Sequence, residues 1–593
     1  MHKVPTVTTC RRLRNLRPTR HRTAPLFAAA LLPAVLFAGA PPATANAPGH
    51  PGTPANPTVL FTEDFENGAS TTGTLLTDYT GAAPLNETYT ADPAWLDTSA
   101  CNGYIASPAD PAAPPPPGCD DSGGWALVQA SVADLGTWAG TDPGTNHALI
   151  NFTDTDPGPG GTELQTTAPI PLPSAGRFLT VKTDAAGENC FGNDSLYQFD
   201  LLNGTSAQPI SSAPFSPCAD PGAVFGDALD AVHVGTYTGD LAVLASGTSV
   251  GIQLINEQGS GYGNDGALDN IRLLDVTPQL DLSGSTGTVL VGAPANLTFT
   301  VTNTSELDAK NGWSLTANLP AGLALANNTV TTTCASGTAA AGSATGTINV
   351  GGDLAAGQAS CTVTVQVTSI LGGSYQLCAG QMTNLVGLDP PGCTTLTFTA
   401  PVFDARSDSA LLVSPLLDLG PLAPSKYECT SAPGSVGNTV VSAGLGTLGS
   451  LGALTTSASG TIAGNGTRTA AAGAQTAKVS LLAGLITADA VTTNARAQQA
   501  LTTSGPGTVT VSGGTTFTNL RVAGVLIAAD PGPNTVISVP LVASVILNQQ
   551  TTIAGGDGIT VNALDVTLLT GTQLTIGTST AALLSATQTC PVS

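Results

Sequence analysis

The segment Asn296-Leu-Thr-Phe-Thr-Val-Thr-Asn303 puts Leu297, Phe299 and Val301 on one parity and Thr298, Thr300 and Thr302 on the other. Cys361-Thr-Val-Thr-Val-Gln-Val367 repeats the pattern, with every odd position apolar, Cys361 included. Strict alternation with period two marks a half-buried antiparallel strand, because successive side chains leave opposite faces of a sheet. A chain built from such segments must stack its sheets in pairs. Composition extends the argument to the whole length. The chain carries 69 Gly, only 2 Met and 10% charged residues, which suits many short strands joined by tight turns rather than helices. We expect an all-β, multi-domain protein.

The first 45 residues read as an export signal. Arg11, Arg12, Arg14, Arg17, Arg20 and Arg22 form a basic stretch, Ala24 to Ala40 is apolar apart from Pro33, and Ala43-Thr44-Ala45 is a small-residue cleavage site. The apolar run is shorter than the ~20 residues a membrane span needs, and no other segment approaches that length, so no transmembrane span is expected in the mature chain. Removing the signal leaves all 40 acids but only 10 of the 17 basic residues, a balance near −30. Such a surface repels nucleic acid and anionic lipid, which argues against both as partners. The expected location is extracellular, secreted or held at the cell surface.

The remaining ~550 residues exceed one hydrophobic core. Residues 46–56, rich in Pro, Gly and Ala, read as a flexible leader. Residues 57–277 form a first domain with 27 acids, three basic residues and three of the four tryptophans. Residues 278–400 read as an immunoglobulin-like sandwich. Residues 401–593 read as a further β domain, either a sandwich or a solenoid-like sheet. There Val479, Leu481, Ala483 and Leu485 alternate, while Ile559, Val561 and Ala563 are followed by Leu564, Val566 and Leu568 on flipped parity, which suggests a bulge.

Ten cysteines follow the signal, and an even count in an exported chain suggests disulfides. Spacing pairs Cys101 with Cys119, Cys190 with Cys218, Cys334 with Cys361 and Cys378 with Cys393, leaving Cys429 for Cys590. No pair has CxxC spacing, so zinc is not expected. Pro111 to Gly118, within the first loop, reads as an exposed, stiff segment.

Two motif matches carry little chemistry. Gly247-Thr-Ser249-Val-Gly251 has nucleophile-elbow spacing, but β-type residues flank it and it reads as a hairpin turn. Gly444-Leu-Gly446-Thr-Leu-Gly449 has dinucleotide-loop spacing without the helix or the later acid that the loop needs. The acids of the first domain carry more. Glu66 lies near its start, and Asp265 and Asp269 lie near its end. If first and last strands are neighbours, these carboxylates could supply oxygens to Ca2+; the alternative is a solvated acidic rim. Trp95, Trp125 and Trp138 are candidates for a sugar-stacking platform, against the commoner fate of core packing.

Gly263-Asn-Asp-Gly-Ala-Leu-Asp-Asn-Ile271 resembles the end of lectin-like jelly-roll domains of secreted bacterial proteins, which implies a structural calcium and ligand binding. Leu297 to Ser305, Leu319-Pro-Ala-Gly-Leu323 and Ala359 to Val365 resemble a repeat domain of unknown function common in bacterial surface proteins, which implies a spacer. Ala477 to Val491 and Gly558 to Val566 resemble the choice-of-anchor P family of actinobacterial exported proteins. Members carry a C-terminal anchor; Cys590-Pro-Val-Ser593 shows no sorting motif, so free secretion or non-covalent retention is expected. Together these readings predict a binding or adhesion protein, not an enzyme, with polysaccharide or cell-wall material as partner. A structural coat protein is the alternative, and a glycoside-active enzyme with paired carboxylates the third reading.

Overall fold

The computed structural model describes residues 49–585 apart from 69–72, 98–100, 112–118, 120–121, 205, 227–230 and 416–417. The export signal, most of the proline-rich segment and Cys590 lie outside the described residues. Among the described residues about 58% are strand and 6% helix, in many antiparallel sheets and no barrel, so the protein is all-β and multi-domain.

The first domain stacks a nine-stranded sheet on a six-stranded one. The larger sheet holds β1 (Thr58–Glu63), β2 (Ala148–Phe152), β3 (Arg177–Glu188), β4 (Val232–Thr238) and β5 (Asp265–Asp275). β5 lies between β3 and β2 and also pairs with β1, with Thr58 opposite Asp275. First and last strands are therefore neighbours, and the chain enters and leaves this domain at one end. Leu179, Val181, Leu268, Ile271 and Leu273 point into the space between the sheets, where they meet Phe199, Leu201, Ile252 and Leu254 of the smaller sheet.

The opposite face of the larger sheet is covered by α1 (Ser122–Ala139), the longest helix among the described residues. Trp125, Val128, Val132 and Leu135 recur at helical spacing and are fully buried against Ala148, Ile150, Ala186, Val234 and Ala267. An all-β expectation includes no helix here.

The second domain consists of three small sheets of four, three and four strands. Cys361 faces its core, and Cys334 joins it there, both buried. The other three expected neighbour pairs, Cys101–Cys119, Cys190–Cys218 and Cys378–Cys393, are also bonded. Cys429 is a half-cystine as well.

The leader differs from expectation. The Gly49 amide donates to Asp281 Oδ1 at 2.8 Å, the Gly52 amide to Thr302 Oγ1 at 2.9 Å, and the Ser305 amide to Ala55 O at 2.8 Å. Residues 49–56 are thus laid along the second domain, because its edge donors and acceptors take up the leader's backbone groups.

The third domain packs a seven-stranded sheet on a nine-stranded one, a sandwich rather than a solenoid. At the flipped parity near Ala563 no residue is inserted: the pairing register with both neighbours is unbroken. Instead the flanking strands carry Asn548 (φ 50°) and Gly577 (φ 69°) in the left-handed region beside it, which twists the ladder locally and lets Ala563 and Leu564 both be buried. At the end of this sandwich farthest from Val402 and Leu584, the turn residues Leu541 (93%) and Leu569 (75%) stand in solvent.

Candidate functional site

The face of the larger sheet under α1 carries a ladder of acids. β3 and β5 run antiparallel, with Glu188 opposite Asp265 and Asp184 opposite Asp269. Ala186 and Ala267 face each other between them and are small enough for the helix to sit close. Like charges directly opposite are destabilising, so each acid needs compensation. The helix supplies part of it: Ser131 donates to Glu188, and the Trp138 indole N–H donates to Thr236 Oγ1 at 2.9 Å, whose hydroxyl in turn donates to Asp184. Asn146 Nδ2 donates to Asp269 Oδ2 at 3.1 Å and to the helix carbonyl of Val132 at 3.3 Å.

Protonation supplies the rest. Burial, together with the negative charges of Asp265 and Asp134, pushes the Glu188 carboxyl up to about 8. Burial pushes Asp269 up to about 8 and Asp265 up to about 6. Glu163, also fully buried, is raised to about 8 by burial, although Asn151 and Asn256 donate to it at 2.9 and 2.8 Å.

The expected calcium ligands do not meet. Asp265 Oδ1 accepts from the Thr153 amide at 3.0 Å and Oδ2 from Asn189 Nδ2 at 2.7 Å. Glu66 is exposed and accepts from the His147 amide at 2.8 Å, with His147 Nδ1 2.7 Å from its other oxygen. That contact raises the His147 pKa, against the opposing effect of burial. Asp265 and Asp269, four residues apart on one strand, are separated by roughly 13 Å, whereas one ion gathers its oxygens at about 2.4 Å. Among the described residues no three His, Cys, Asp or Glu side chains gather closely enough to hold a metal. Glu66, Asp265 and Asp269 thus do not fit a shared calcium site; they fix the strand and helix around them.

The tryptophans do not form a platform either. Trp95 (1%) and Trp125 (0%) are buried, Trp125 as the anchor of α1. Trp138 is half-buried and tied by its indole N–H to Thr236. A large indole contributes more when buried than when left in solvent, and the helix gives two of them that opportunity.

The elbow-like segment around Ser249 connects Val243–Ala245 of the larger sheet to Ser249–Asn256 of the smaller. It is an arch between sheets rather than a hairpin, and no helix follows it.

An exposed aromatic pair escaped the sequence reading. Phe191 (70%) and Tyr262 (65%) stand in solvent, their ring centroids 6.0 Å apart and edge-on at 70°. Their loops are braced. Cys190, beside Phe191, is bonded to Cys218, and the Asn193 amide donates to Tyr262 O at 2.7 Å. The backbones touch so closely that a Cβ on Gly192 would lie 2.5 Å from Tyr262 O, and Gly263 holds φ +84°. The Gly261 amide donates to Asp156 Oδ1 at 2.9 Å. Buried Asn264 accepts from Asn256 at 2.8 Å and so ties this loop to the smaller sheet. The available signal was an aromatic beside or between glycines with no alternation around it, in Cys190-Phe-Gly192 and Gly261-Tyr-Gly263. Such a residue has no sheet face to be buried on.

Residues 278–398 match a family described as a domain of unknown function (DUF7933), so the central domain is similar to members of that family. A search of curated proteins gave no match. A solved structure, the Caldicellulosiruptor saccharolyticus CBM27-1 in complex with mannohexaose, is similar at 15% identity over 37% of this chain and 96% of its own, with a TM-score of 0.20.

Proposed function

We propose that the chain is an extracellular binding protein whose first domain takes hold of glycan through Phe191 and Tyr262, while the second and third domains act as spacers. The observation that carries this reading is the exposed, braced aromatic pair. Aromatic faces stack on the C–H faces of sugar rings, and rigid loops lower the ordering cost of binding. The rim offers acceptors, with Asp156 exposed and Asp194 half-buried and no basic side chain on either loop, which suits a neutral polyol. Four disulfides among the described residues support export to an oxidising compartment, as does the expected signal. No helix among the described residues is long and apolar enough to cross a membrane. The buried, hydrogen-bonded state of the acids supports binding over glycoside hydrolysis. The resemblance of the third domain to the choice-of-anchor P family supports a place at the cell surface.

The test is calorimetric titration of the whole exported chain, disulfides intact, with soluble mannan, β-glucan, xylan and cell-wall fragments. Saturable binding to one of them, weakened at least tenfold in Phe191→Ala/Tyr262→Ala and indifferent to a calcium chelator, is expected. Equal binding by the double variant, or no binding to any of the four, sinks the reading. The coat-protein alternative draws on the exposed turn residues Leu541 and Leu569; concentration-dependent self-association in sedimentation would favour it.

A further inference from the structure

The first domain has 27 acids and three basic residues, and its three cations all lie toward the second domain. Arg177 is buried in ion pairs with Asp275 and Asp389. The other two, Lys182 and Arg272, sit directly opposite each other on β3 and β5. They extend the face that carries the acid ladder, one step beyond Asp184 and Asp269, where the sign of charge reverses. Both are half-buried, and neither side chain has a hydrogen bond or ion pair among the described residues. They line a cavity of about 350 Å³ between the two domains.

Two cations opposed across a ladder repel each other, and no carboxylate among the described residues forms an ion pair with either. Asp184, the neighbour of Lys182 on the same face, is engaged by Thr236. Glu306, on the cavity wall, accepts from Lys310 Nζ at 2.7 Å and from the Thr304 hydroxyl at 2.5 Å, both at Oε1, while its buried Oε2 has no hydrogen-bond partner among the described residues. Thr238, paired with Lys182 on β4, and Ser305 add hydroxyls at the rim, while Val59 and Leu274 supply apolar wall. An opening of this size, with a planar guanidinium beside an ammonium, hydroxyls and an aliphatic wall, has the chemistry of an acidic sugar site.

We propose that this interdomain cavity binds an anionic sugar unit, with Lys182 and Arg272 holding its carboxylate or phosphoryl oxygens and the remaining wall holding the ring. The site is separate from the Phe191–Tyr262 pair and stands or falls without it.

The whole chain is titrated with glucuronate, glucose 1-phosphate and inorganic phosphate at constant ionic strength, with chloride as reference, by calorimetry and by thermal melting. The expected result is saturable binding of at least one sugar, tighter than inorganic phosphate, with a ligand-dependent rise in Tm. Glucuronate ahead of glucose 1-phosphate identifies a carboxylate ligand, and the reverse order a phosphate ester. Lys182→Gln/Arg272→Gln should weaken binding at least tenfold and leave the ligand-free Tm unchanged or higher, since it removes a repulsion. Phe191→Ala/Tyr262→Ala should bind the anion as the unaltered chain does. The proposal is overturned if no anion differs from chloride, if inorganic phosphate binds as tightly as both sugars, or if the Lys182/Arg272 variant binds equally well. A lower ligand-free Tm in that variant also overturns it, because the pair would then serve to balance the acid ladder.

Discussion

Arg177, where the first sandwich meets the second domain, is buried between two carboxylates, Asp275 and Asp389, each at 2.5 Å. Arg468, where the third sandwich meets the second domain, is equally buried but has no ion pair among the described residues. Its guanidinium donates to Ser431 O at 3.1 Å and Ile370 O at 3.3 Å, and lies 5.7 Å from the centroid of the Phe403 ring. The contrast runs through the interiors of the two sandwiches. The first buries Glu63, Glu163, Glu188 and Asp269 among others, with large aromatic rings, whereas the third buries fewer acids among the described residues, Asp404 and Asp565, and part of its core is lined by Ala405, Ala458, Ala470, Ala472, Ala495, Ala497 and Ala581. A core of small apolar groups brings sheets together at little risk. Buried acids have to be compensated one by one, so they mark the region where sequence is constrained by more than packing.

The largest expected effect separates the two arginines. Arg177→Ala leaves two buried carboxylates without a counter-charge and should cost about 3–5 kcal/mol, whereas Arg468→Met removes hydrogen bonds to carbonyls and should cost about 1–2 kcal/mol. Denaturant unfolding checks both, and equal losses would break the contrast. A smaller effect concerns pH. Glu188, Asp269 and Glu163 have folded-state pKa values near 8, above those of the unfolded chain. Their contribution is fully present below about pH 4.5 and is lost as pH rises through 8. In calorimetry the first domain should therefore melt roughly 10 °C lower at pH 9 than at pH 5, with a shallower slope in Glu188→Gln. In the third domain Asp408 is raised by burial only to about 6, so its melting should change less. The smallest effect is at the aromatic pair: Phe191→Ala and Tyr262→Ala each remove an exposed ring and should shift stability by no more than about 0.5 kcal/mol. A larger loss would make the pair a structural brace instead of a contact surface.

Strands were legible wherever one face was buried. The parities of 296–303 and 361–367 carry directly into burial, down to the inward Cys361. Disulfide neighbours could be read because short loops keep partners close. The helix was hidden by composition: Trp125, Val128, Val132 and Leu135 have the spacing, but Gly123, Gly124 and Gly136 disguise it, and Gly124 and Gly136 are there because Phe152 and Asn146 press against the helix. The metal and tryptophan readings failed for a related reason. Sequence lists acids and indoles but not the element laid over them, and α1 turns an apparent binding face into an interior. Phe191 and Tyr262 were missed because exposure at a turn leaves no periodic trace.

Because Thr58 lies opposite Asp275 and residues 49–56 are fastened along the second domain, the first sandwich is not a link in series with the rest. Tension applied through the leader reaches the second domain directly, by way of Gly49, Gly52 and Ala55. The first domain hangs from its two adjacent ends like a pennant. Were the leader to peel away, force would act on β1 and β5 from the same end and open their ladder one bond at a time, the mechanically weak direction for an antiparallel pair. The leader is thus the safety strap of the first domain.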